Sequence, residues 1–272
     1  MTEALLGFLA IFVLALIRMP LAFSMGLVGI VGIGLTRGWM PALASTAQVV
    51  HETGFAYTLS VIPLFILMGN FVARAGLAHE LFHAAYTFIG HRKGGLAHAT
   101  IAACAGFGAI CGSSIATAAT ITSVALPEMK RHGYSGRLAT GTLAAGGTLG
   151  ILIPPSVPLV IYAILTEQNI AKLFAAATIP GIIAMLGYMI AIAIYVRIRP
   201  GHAPDHTVDL PKMSLQALMG VLPIAIVFLV VFGGIYGGLF TPTEGAGVGV
   251  ACTFVAALLK RELTLAKVRQ CF

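Results

Sequence analysis

Long apolar stretches without charged residues alternate with short polar segments along most of this chain. Residues 55–73 and 173–196 contain no charged residue, and residues 138–171 and 215–259 contain one carboxylate each. A membrane-spanning helix requires about 20 consecutive apolar residues, so each stretch is long enough for one or two spans. The pattern therefore predicts a series of transmembrane helices rather than a soluble domain.

The N-terminal apolar stretch, residues 4–35, is interrupted by Arg18, Met19 and Pro20. We interpret it as two short spans. A cleaved signal peptide is the alternative. It is disfavoured because the chain starts with Glu3 and has no Lys or Arg before Arg18, whereas a signal peptide has a positively charged start.

Composition supports a membrane protein. The chain is 58% hydrophobic and 9% charged, whereas about 25% of the residues of a soluble domain are charged. Too little charge is available to cover a soluble core, so the apolar surface must face lipid. We expect Cys104 and Cys111 to pack as small hydrophobic residues and His98 to be a satisfied core histidine. The four cysteines and eight histidines form no metal-binding pattern.

The basic residues indicate the orientation, because basic loops normally stay in the cytoplasm. The opposite loops, residues 167–169 and 237–247, contain no Lys or Arg. A periplasmic N-terminus therefore places every basic cluster in the cytoplasm, with Arg37 as the exception. The net charge of +7 makes the lipid bilayer, with its anionic lipid, the expected partner. Nucleic acid is not expected, because no basic stripe is interleaved with aromatic residues. The clusters are Arg92-Lys93, Lys130-Arg131 with Arg137, Arg197 with Arg199, and Lys260-Arg261.

Residues 94–127 carry no formal charge and are too long for one span. As a single helix they would extend about 50 Å, whereas the hydrocarbon core is roughly 30 Å thick. Gly112-Ser113-Ser114 interrupts them near the middle, and both flanks are basic, so the segment enters the membrane and returns. Two complete spans would satisfy this pattern. A re-entrant hairpin is favoured, because lipid cannot satisfy the exposed backbone of the Gly-Ser-Ser tip.

Hydroxyl side chains form a stripe on the second arm of this hairpin. Ser113, Thr117 and Thr120 recur at helical spacing, and Ala116 and Ala119 keep the arm slim. Small and hydroxyl residues are also ordinary at helix contacts in membranes, which is the structural alternative. Next to the irregular tip, the stripe favours a functional element.

A second irregularity follows the hairpin. Residues 138–145 are predicted to be helical, and the apolar run resumes over residues 157–165. Residues 146–156 contain three glycines and two adjacent prolines, which we expect to interrupt the helix from Gly146 onward. Such a discontinuous helix presents carbonyl oxygens suited to a small cation and a helix N-terminus suited to a carboxylate. A proline kink made for packing is the alternative.

Three long motifs occur in order along the chain. They are Gly-Ser-Ser-Ile-Ala-Thr-Ala-Ala-Thr at 112–120 followed by Leu-Pro-Glu-Met at 126–129, Gly-Thr-Leu-Gly-Ile-Leu-Ile-Pro-Pro-Ser at 147–156, and Phe-Thr-Pro-Thr-Glu at 240–244. Together with Ile62-Pro63-Leu64-Phe65 and Gly69-Asn70, they resemble the large permease of the tripartite ATP-independent periplasmic (TRAP) transporters, called DctM or the M subunit.

The resemblance implies an organic-acid importer of the bacterial inner membrane that works by an elevator movement driven by sodium symport. It also implies a periplasmic substrate-binding protein (P type) that delivers the substrate, and a small membrane subunit (Q type). No other cofactor is implied. The implied residues are Gly112, Ser113, Ser114, Gly147 and Thr148 for sodium, and Ser114, Thr117, Pro154, Pro155 and Ser156 for the substrate carboxylate.

We therefore expect an all-α polytopic membrane protein with about seven spanning helices, a re-entrant hairpin and one broken helix. It would comprise the first inverted repeat of an elevator-type transporter and the start of the second. Because only one hairpin occurs, the chain is expected to be truncated at its C-terminus relative to the family, or to be part of a split permease. The expected division is into N-terminal scaffold helices with an interfacial segment (1–90), a transport-domain portion (91–171), and further spanning helices without a second hairpin (172–272).

The alternative functions are a non-transporting membrane scaffold or channel fragment, and a membrane enzyme. A channel would need a pore ring or charged constriction, and an enzyme would need paired carboxylates or a nucleophile with a base inside a span. Neither pattern occurs, so the chain is not expected to be an enzyme. Glu244 is assigned to a helix N-terminus capped by Thr241 or Thr243 rather than to ion binding. Asn70 is assigned to interhelical bonding.

Overall fold

The computed structural model describes residues 2–203 and 215–260, with backbone alone for 215–219. Helices make up most of this part of the chain, and it contains no strand. The chain divides into two compact units, up to Tyr57 and from Thr58 onward. The all-α fold is thus confirmed, whereas the functional division at residues 90 and 171 stays a prediction. Arg261, Cys271 and the C-terminal residues used in the sequence analysis lie outside the described residues.

The first unit contains helices α1 (Thr2–Leu16), α2 (Leu21–Arg37) and α3 (Trp39–Gly54). The interruption at Arg18 and Pro20 separates α1 from α2, as expected: Arg18 has φ +69° and Pro20 directly precedes α2. Helix α1 contains no residue buried within the protein. Its apolar side chains are therefore available to lipid.

The second unit contains nine helices in the described part of the chain. They are α4 (Val61–Arg74), α5 (Leu77–Ile89), α6 (Gly95–Cys111), α7 (Ser114–Arg131), α8 (Gly136–Leu152), α9 (Val157–Leu165), α10 (Ile170–Ile198), α11 (Leu215–Tyr236) and α12 (Pro242–Leu259). Helix α6 is almost entirely buried, because α4, α5, α7, α8 and α10 pack around it. This burial explains its small residues: glycines and alanines let five neighbours approach one helix.

Four helical segments of the described chain are long and apolar enough to cross a membrane. They are Tyr57–Arg74, Gly136–Leu165, Ile170–Ile198 and Pro242–Leu259, the first including a 3-10 turn before α4 and the second combining α8 and α9. Helix α10 exposes a row of isoleucines, including Ile183, Ile190 and Ile194. A polytopic membrane protein is therefore confirmed, and the count of seven spans stays a prediction.

Two helices joined by a short turn occupy the predicted hairpin segment, and its re-entrant placement in the membrane stays a prediction. Helix α6 ends at Cys111, α7 begins at Ser114, and the two arms are each about 25–27 Å long at 1.5 Å per residue. The second arm extends beyond the predicted end, through Pro127 to Arg131.

The predicted start of the helix break was wrong. Helix α8 continues through Gly146, Gly147 and Gly150 and ends at Leu152, so the interruption is confined to residues 153–156. The glycines remain helical because other segments of this chain pack where glycine side chains would be. This packing offsets the low helix propensity of glycine. Proline alone, through its missing N–H, ends the helix.

Candidate functional site

Four helix ends meet where the hairpin tip contacts the break between α8 and α9. Gly112, which follows α6, accepts a hydrogen bond through its carbonyl oxygen from the Val157 N–H at 3.3 Å. A Cβ atom on Gly112 would lie 2.5 Å from the Pro155 carbonyl oxygen. Glycine is therefore required at this tip for two reasons: the neighbouring backbone is too close, and φ is +65°.

The hairpin turn and the break between α8 and α9 each contain a serine that caps the following helix. The Ser113 Oγ accepts a hydrogen bond from the Ala116 N–H at 3.3 Å, and the Ser156 Oγ accepts one from the Leu159 N–H at 3.4 Å. Each serine has extended backbone geometry, as an N-cap residue requires. The break itself contains the Pro154–Pro155 peptide bond in the cis form. Local sequence therefore determines where α7 and α9 begin, and the contact between Gly112 and Val157 brings their N-termini together.

The glycines of α8 let the second arm of the hairpin pack directly on this helix. A Cβ atom on Gly147 would lie 2.7 Å from the Ala118 Cβ and 3.5 Å from the Ser114 carbonyl oxygen. A Cβ atom on Gly150 would lie 2.7 Å from the Ser113 carbonyl oxygen. The backbone oxygens of the tip are therefore held against α8.

The first arm makes a similar close contact. A Cβ atom on Gly108 would lie 2.7 Å from the Cα atom of Gly150, so the two backbones touch. On the other side of the tip, a Cβ atom on Gly69 of α4 would lie 3.0 Å from the Cα atom of Cys111. The tip is thus held by glycine contacts from α4, α6 and α8.

Thr117 is the hydroxyl residue most enclosed by these contacts. Its side chain is 0% exposed, and its Oγ1 lies 2.5 Å from the position that a Cβ on Gly150 would occupy. Within the described residues this Oγ1 has no hydrogen-bond partner. A buried hydroxyl without a partner is destabilising, and it is available to a ligand that binds at the tip.

The other hydroxyl residues near the tip are less enclosed than Thr117. Ser114 and Thr120 are half-buried, as is Ser113. Ser156 is fully buried, and Pro154 and Pro155 of the same loop are buried as well.

The side chain of Thr148, a predicted sodium-site residue, makes its hydrogen bonds away from the hairpin tip. Its Oγ1 donates a hydrogen bond to the Ala145 carbonyl oxygen at 2.7 Å and lies 3.0 Å from the Tyr188 hydroxyl of α10. The structure therefore brings Gly112, Ser113, Ser114 and Gly147 together, and it directs the Thr148 hydroxyl toward α10.

The site contains no charged side chain, so its electrostatics come from the backbone. Helices α7 and α9 begin here, and their N-termini have positive potential that favours an anion. Helices α6 and α8 end here, and the carbonyl oxygens of a last helical turn have no partners within the helix. These oxygens suit a hard cation. No group of three His, Cys, Asp or Glu residues that could hold a metal occurs in the described chain.

Several residues outside the site have the roles expected of them. Thr241 caps α12, and Glu244 completes the capping box by accepting hydrogen bonds from the Thr241 N–H and Oγ1, both at 2.8 Å. His98 is buried, with its Nδ1 3.0 Å from the Gly94 carbonyl oxygen. Cys104 and Cys111 are buried and unpaired. The interhelical role of Asn70 stays a prediction.

A comparison with protein families decides what kind of protein carries this site. The family described as the tripartite ATP-independent periplasmic transporter, DctM component, matches residues 8–272. The chain belongs to the DctM family. DctM proteins are integral inner-membrane proteins of transport systems rather than enzymes.

Individual DctM relatives cover most of the chain. It is 40% identical to the C4-dicarboxylate TRAP transporter large permease protein DctM of Pseudomonas aeruginosa, over 83% of this chain and 53% of that protein. It is 38% identical to the protein of the same description from Vibrio cholerae, over 94% of this chain and 56% of that protein. It is 31% identical to the ectoine TRAP transporter large permease protein TeaC of Halomonas elongata, over 91% of this chain and 57% of that protein. The chain spans about half the length of these curated relatives.

Two contributors to the site were not singled out from the sequence. Gly108 received no role, although its spacing of four residues from Gly112 matches a small-residue packing pattern and could have identified it. Tyr188 lies 40 residues from Thr148, and no local pattern connects the two positions.

Proposed function

We propose that this chain contributes the first half of the transport site of a sodium-coupled organic-acid importer. The hydrogen bond between the Gly112 carbonyl oxygen and the Val157 N–H carries the proposal, because it joins the hairpin tip to the helix break. That contact brings two helix N-termini and two helix C-termini together in an apolar chain, where oppositely polarised backbone groups can bind a cation and an anion side by side.

For the sodium ion, we propose backbone oxygens of the tip as ligands, with the Ser114 side chain beside them. The Ser113 and Ser114 carbonyl oxygens lie against Gly150 and Gly147, and the Ser113 oxygen also accepts a hydrogen bond from the Thr117 N–H at 3.0 Å. Carbonyl and hydroxyl oxygens are the ligands that hard cations prefer. We include the backbone of Thr148 in this set, and not its hydroxyl, because that hydroxyl is bonded toward Tyr188.

For the substrate, we propose that a carboxylate binds between the N-termini of α7 and α9. Ser114, Thr117 and the loop of Pro154, Pro155 and Ser156 would surround it. The buried Thr117 Oγ1, without a partner among the described residues, supplies a donor that such an anion needs. Relatives are named for C4-dicarboxylate, ectoine and sialic acid, which supports an organic acid as the proposed class of substrate.

We also propose the partners and orientation that such a system requires. A periplasmic substrate-binding protein would deliver the solute, and a small membrane subunit would accompany the permease. One relative is named as the fused permease protein DctMQ of an isethionate transporter. The basic end of α10 would face the cytoplasm, with the N-terminus of the chain in the periplasm.

The experiment measures sodium binding and sodium-driven uptake in the complete permease carrying Ser114→Ala. We expect the unaltered permease to melt at a higher temperature in NaCl than in choline chloride, because a ligand bound to the folded state stabilises it. Ser114→Ala should remove this difference and abolish uptake of succinate driven by a sodium gradient. Gly147→Val should abolish uptake while leaving membrane insertion intact.

Ser123→Ala is the matched control. It makes the same change on α7, at an exposed serine that bonds the Thr120 carbonyl oxygen, and it should keep both sodium effects. Full sodium-driven uptake by Ser114→Ala and Gly147→Val would contradict the site assignment. A permease that shows neither sodium stabilisation nor uptake of any organic acid would favour the scaffold or channel alternative.

A further inference from the structure

A cavity of about 250 Å³ lies between α6, α8 and α10. It is separate from the tip contacts: its α8 residues, from Arg137 to Ala145, precede the glycines that face the hairpin. Eight residues of helix correspond to about 12 Å, so the cavity extends along the helix as a slot.

The two long walls of this slot are antiparallel. At one end, the Ser135 N–H donates to the His202 carbonyl oxygen, which joins the start of α8 to the turn after α10. At the other end, the Thr148 Oγ1 contacts the Tyr188 hydroxyl. The slot therefore runs from Arg137 and the end of α10, where basic residues cluster, toward the middle of both helices.

The walls of the slot are mostly apolar and leave open space. Thr142, Tyr188 and Tyr195 add hydroxyl groups, and the buried Thr142 Oγ1 has no hydrogen-bond partner among the described residues. Ile101, Leu138 and Ile192 are buried residues that line it. Gly141 also lines it, and a Cβ atom there would have nothing within 4 Å. The cavity is smaller than the roughly 300–1,000 Å³ of typical pockets for drug-sized solutes. An apolar chain fits such a slot better than a compact polar solute does.

Positive charge is concentrated at one end of the slot. The exposed guanidinium of Arg137 belongs to the lining, and a second cavity of about 180 Å³, farther along α10, is lined by Lys93 and Arg197. Among the described residues, no Asp or Glu lines either cavity. Tyr195 also lines the cavity, and its hydroxyl is 2.7 Å from the Nδ1 of His202. Tyrosine with basic residues is the pattern found at a lipid headgroup boundary.

We propose that this slot binds one acyl chain of an anionic phospholipid, with the phosphate at Arg137. The charge selects the lipid class, because a cation at the membrane surface attracts anionic headgroups. The slot selects the chain through packing, because an acyl chain that is already out of water gains dispersion contacts where the slot encloses it closely. The proposal does not depend on sodium coupling or on the identity of the transported solute.

The test compares phosphatidylglycerol with phosphatidylcholine in mixed micelles containing the purified protein, with melting temperature and native mass spectrometry as measurements. Phosphatidylglycerol should raise the melting temperature and remain bound, and phosphatidylcholine should do so less. Arg137→Gln should weaken the apparent affinity for phosphatidylglycerol about fivefold, as expected for one surface cation. Gly141→Leu should remove the preference by filling the slot, with no change in charge.

Two matched controls separate the slot from general surface effects. Arg131→Gln removes a positive charge at the end of α7, and Gly187→Leu adds a side chain on α10 where a Cβ has nothing within 4 Å; both should retain the preference. Soluble glycerol 3-phosphate should have no effect, and an equal effect would point to a headgroup site without a chain. Equal stabilisation by the two lipids, or full retention in both Arg137→Gln and Gly141→Leu, would overturn the proposal.

Discussion

Gly150→Ala should destabilise the hairpin contact, although alanine favours helices. In the interior of a helix, replacing glycine by alanine gains about 1 kcal/mol when space is available. At Gly150 the new Cβ would lie 2.5 Å from the Thr117 Oγ1 and 2.7 Å from the Ser113 carbonyl oxygen. The side chain can rotate away, but the carbonyl oxygen belongs to the backbone of the tip and can move only with the hairpin.

The magnitude follows from a comparison with Gly141→Ala on the same helix, where the Cβ meets nothing within 4 Å. Both variants receive the same gain in helix propensity, so their difference isolates the contact with the hairpin. Overpacking of this kind costs about 1–3 kcal/mol. We therefore expect Gly150→Ala to be less stable than Gly141→Ala by that amount, about 2–4 °C in melting temperature for each kcal/mol.

The assay is thermal unfolding of both variants in the same detergent, together with sodium-driven uptake in the complete permease. Gly150→Ala should lose most of its uptake because the tip oxygens are displaced, while Gly141→Ala keeps it. Equal melting temperatures with uptake preserved in Gly150→Ala would refute the interpretation of α8 as the surface against which the tip is positioned.

Two further predictions separate function from stability and establish the orientation. Thr117→Val keeps the shape of the side chain but removes a buried hydroxyl without a partner among the described residues. It should therefore raise the unfolding free energy by about 1 kcal/mol and lower sodium-driven uptake. Loss of stability with normal uptake would contradict the role assigned to Thr117. A cysteine at exposed Gln168, in a background with Cys252 and Cys271 replaced by serine, should react with a membrane-impermeant thiol reagent from the periplasmic side, and labelling from the cytoplasm alone would reverse the predicted orientation.

The hairpin was predictable because its determinants are local. Gly112 must follow α6 with positive φ, Ser113 must cap α7, and Ser156 must cap α9. Each requirement concerns a residue and a backbone group at most three positions away, so the residue type indicates the geometry. The same reasoning placed Glu244 at a helix N-terminus capped by Thr241 or Thr243, and the structure shows that Thr241 is the cap.

The glycines of α8 show where this reasoning stops. Glycine has low helix propensity, and a run that ends in Pro154 and Pro155 predicts a break from Gly146 onward. Whether a glycine interrupts a helix or lets another helix pack closely depends on the segment that packs against it, which can be distant in sequence. In this protein the neighbours are Cys104, against Gly146, and Ala118, against Gly147, and the helix continues.

Thr148 illustrates the same limit for a side chain. Its position in the motif associates it with the tip, yet its hydroxyl bonds to Ala145 in its own helix and to Tyr188 of α10. The sequence established an apolar helical chain with a charge-free hairpin and a proline break, because those features depend on composition and on interactions within a few residues. Folding established which backbone oxygens meet at the tip, because contacts between helices depend on which side chains are absent at each crossing.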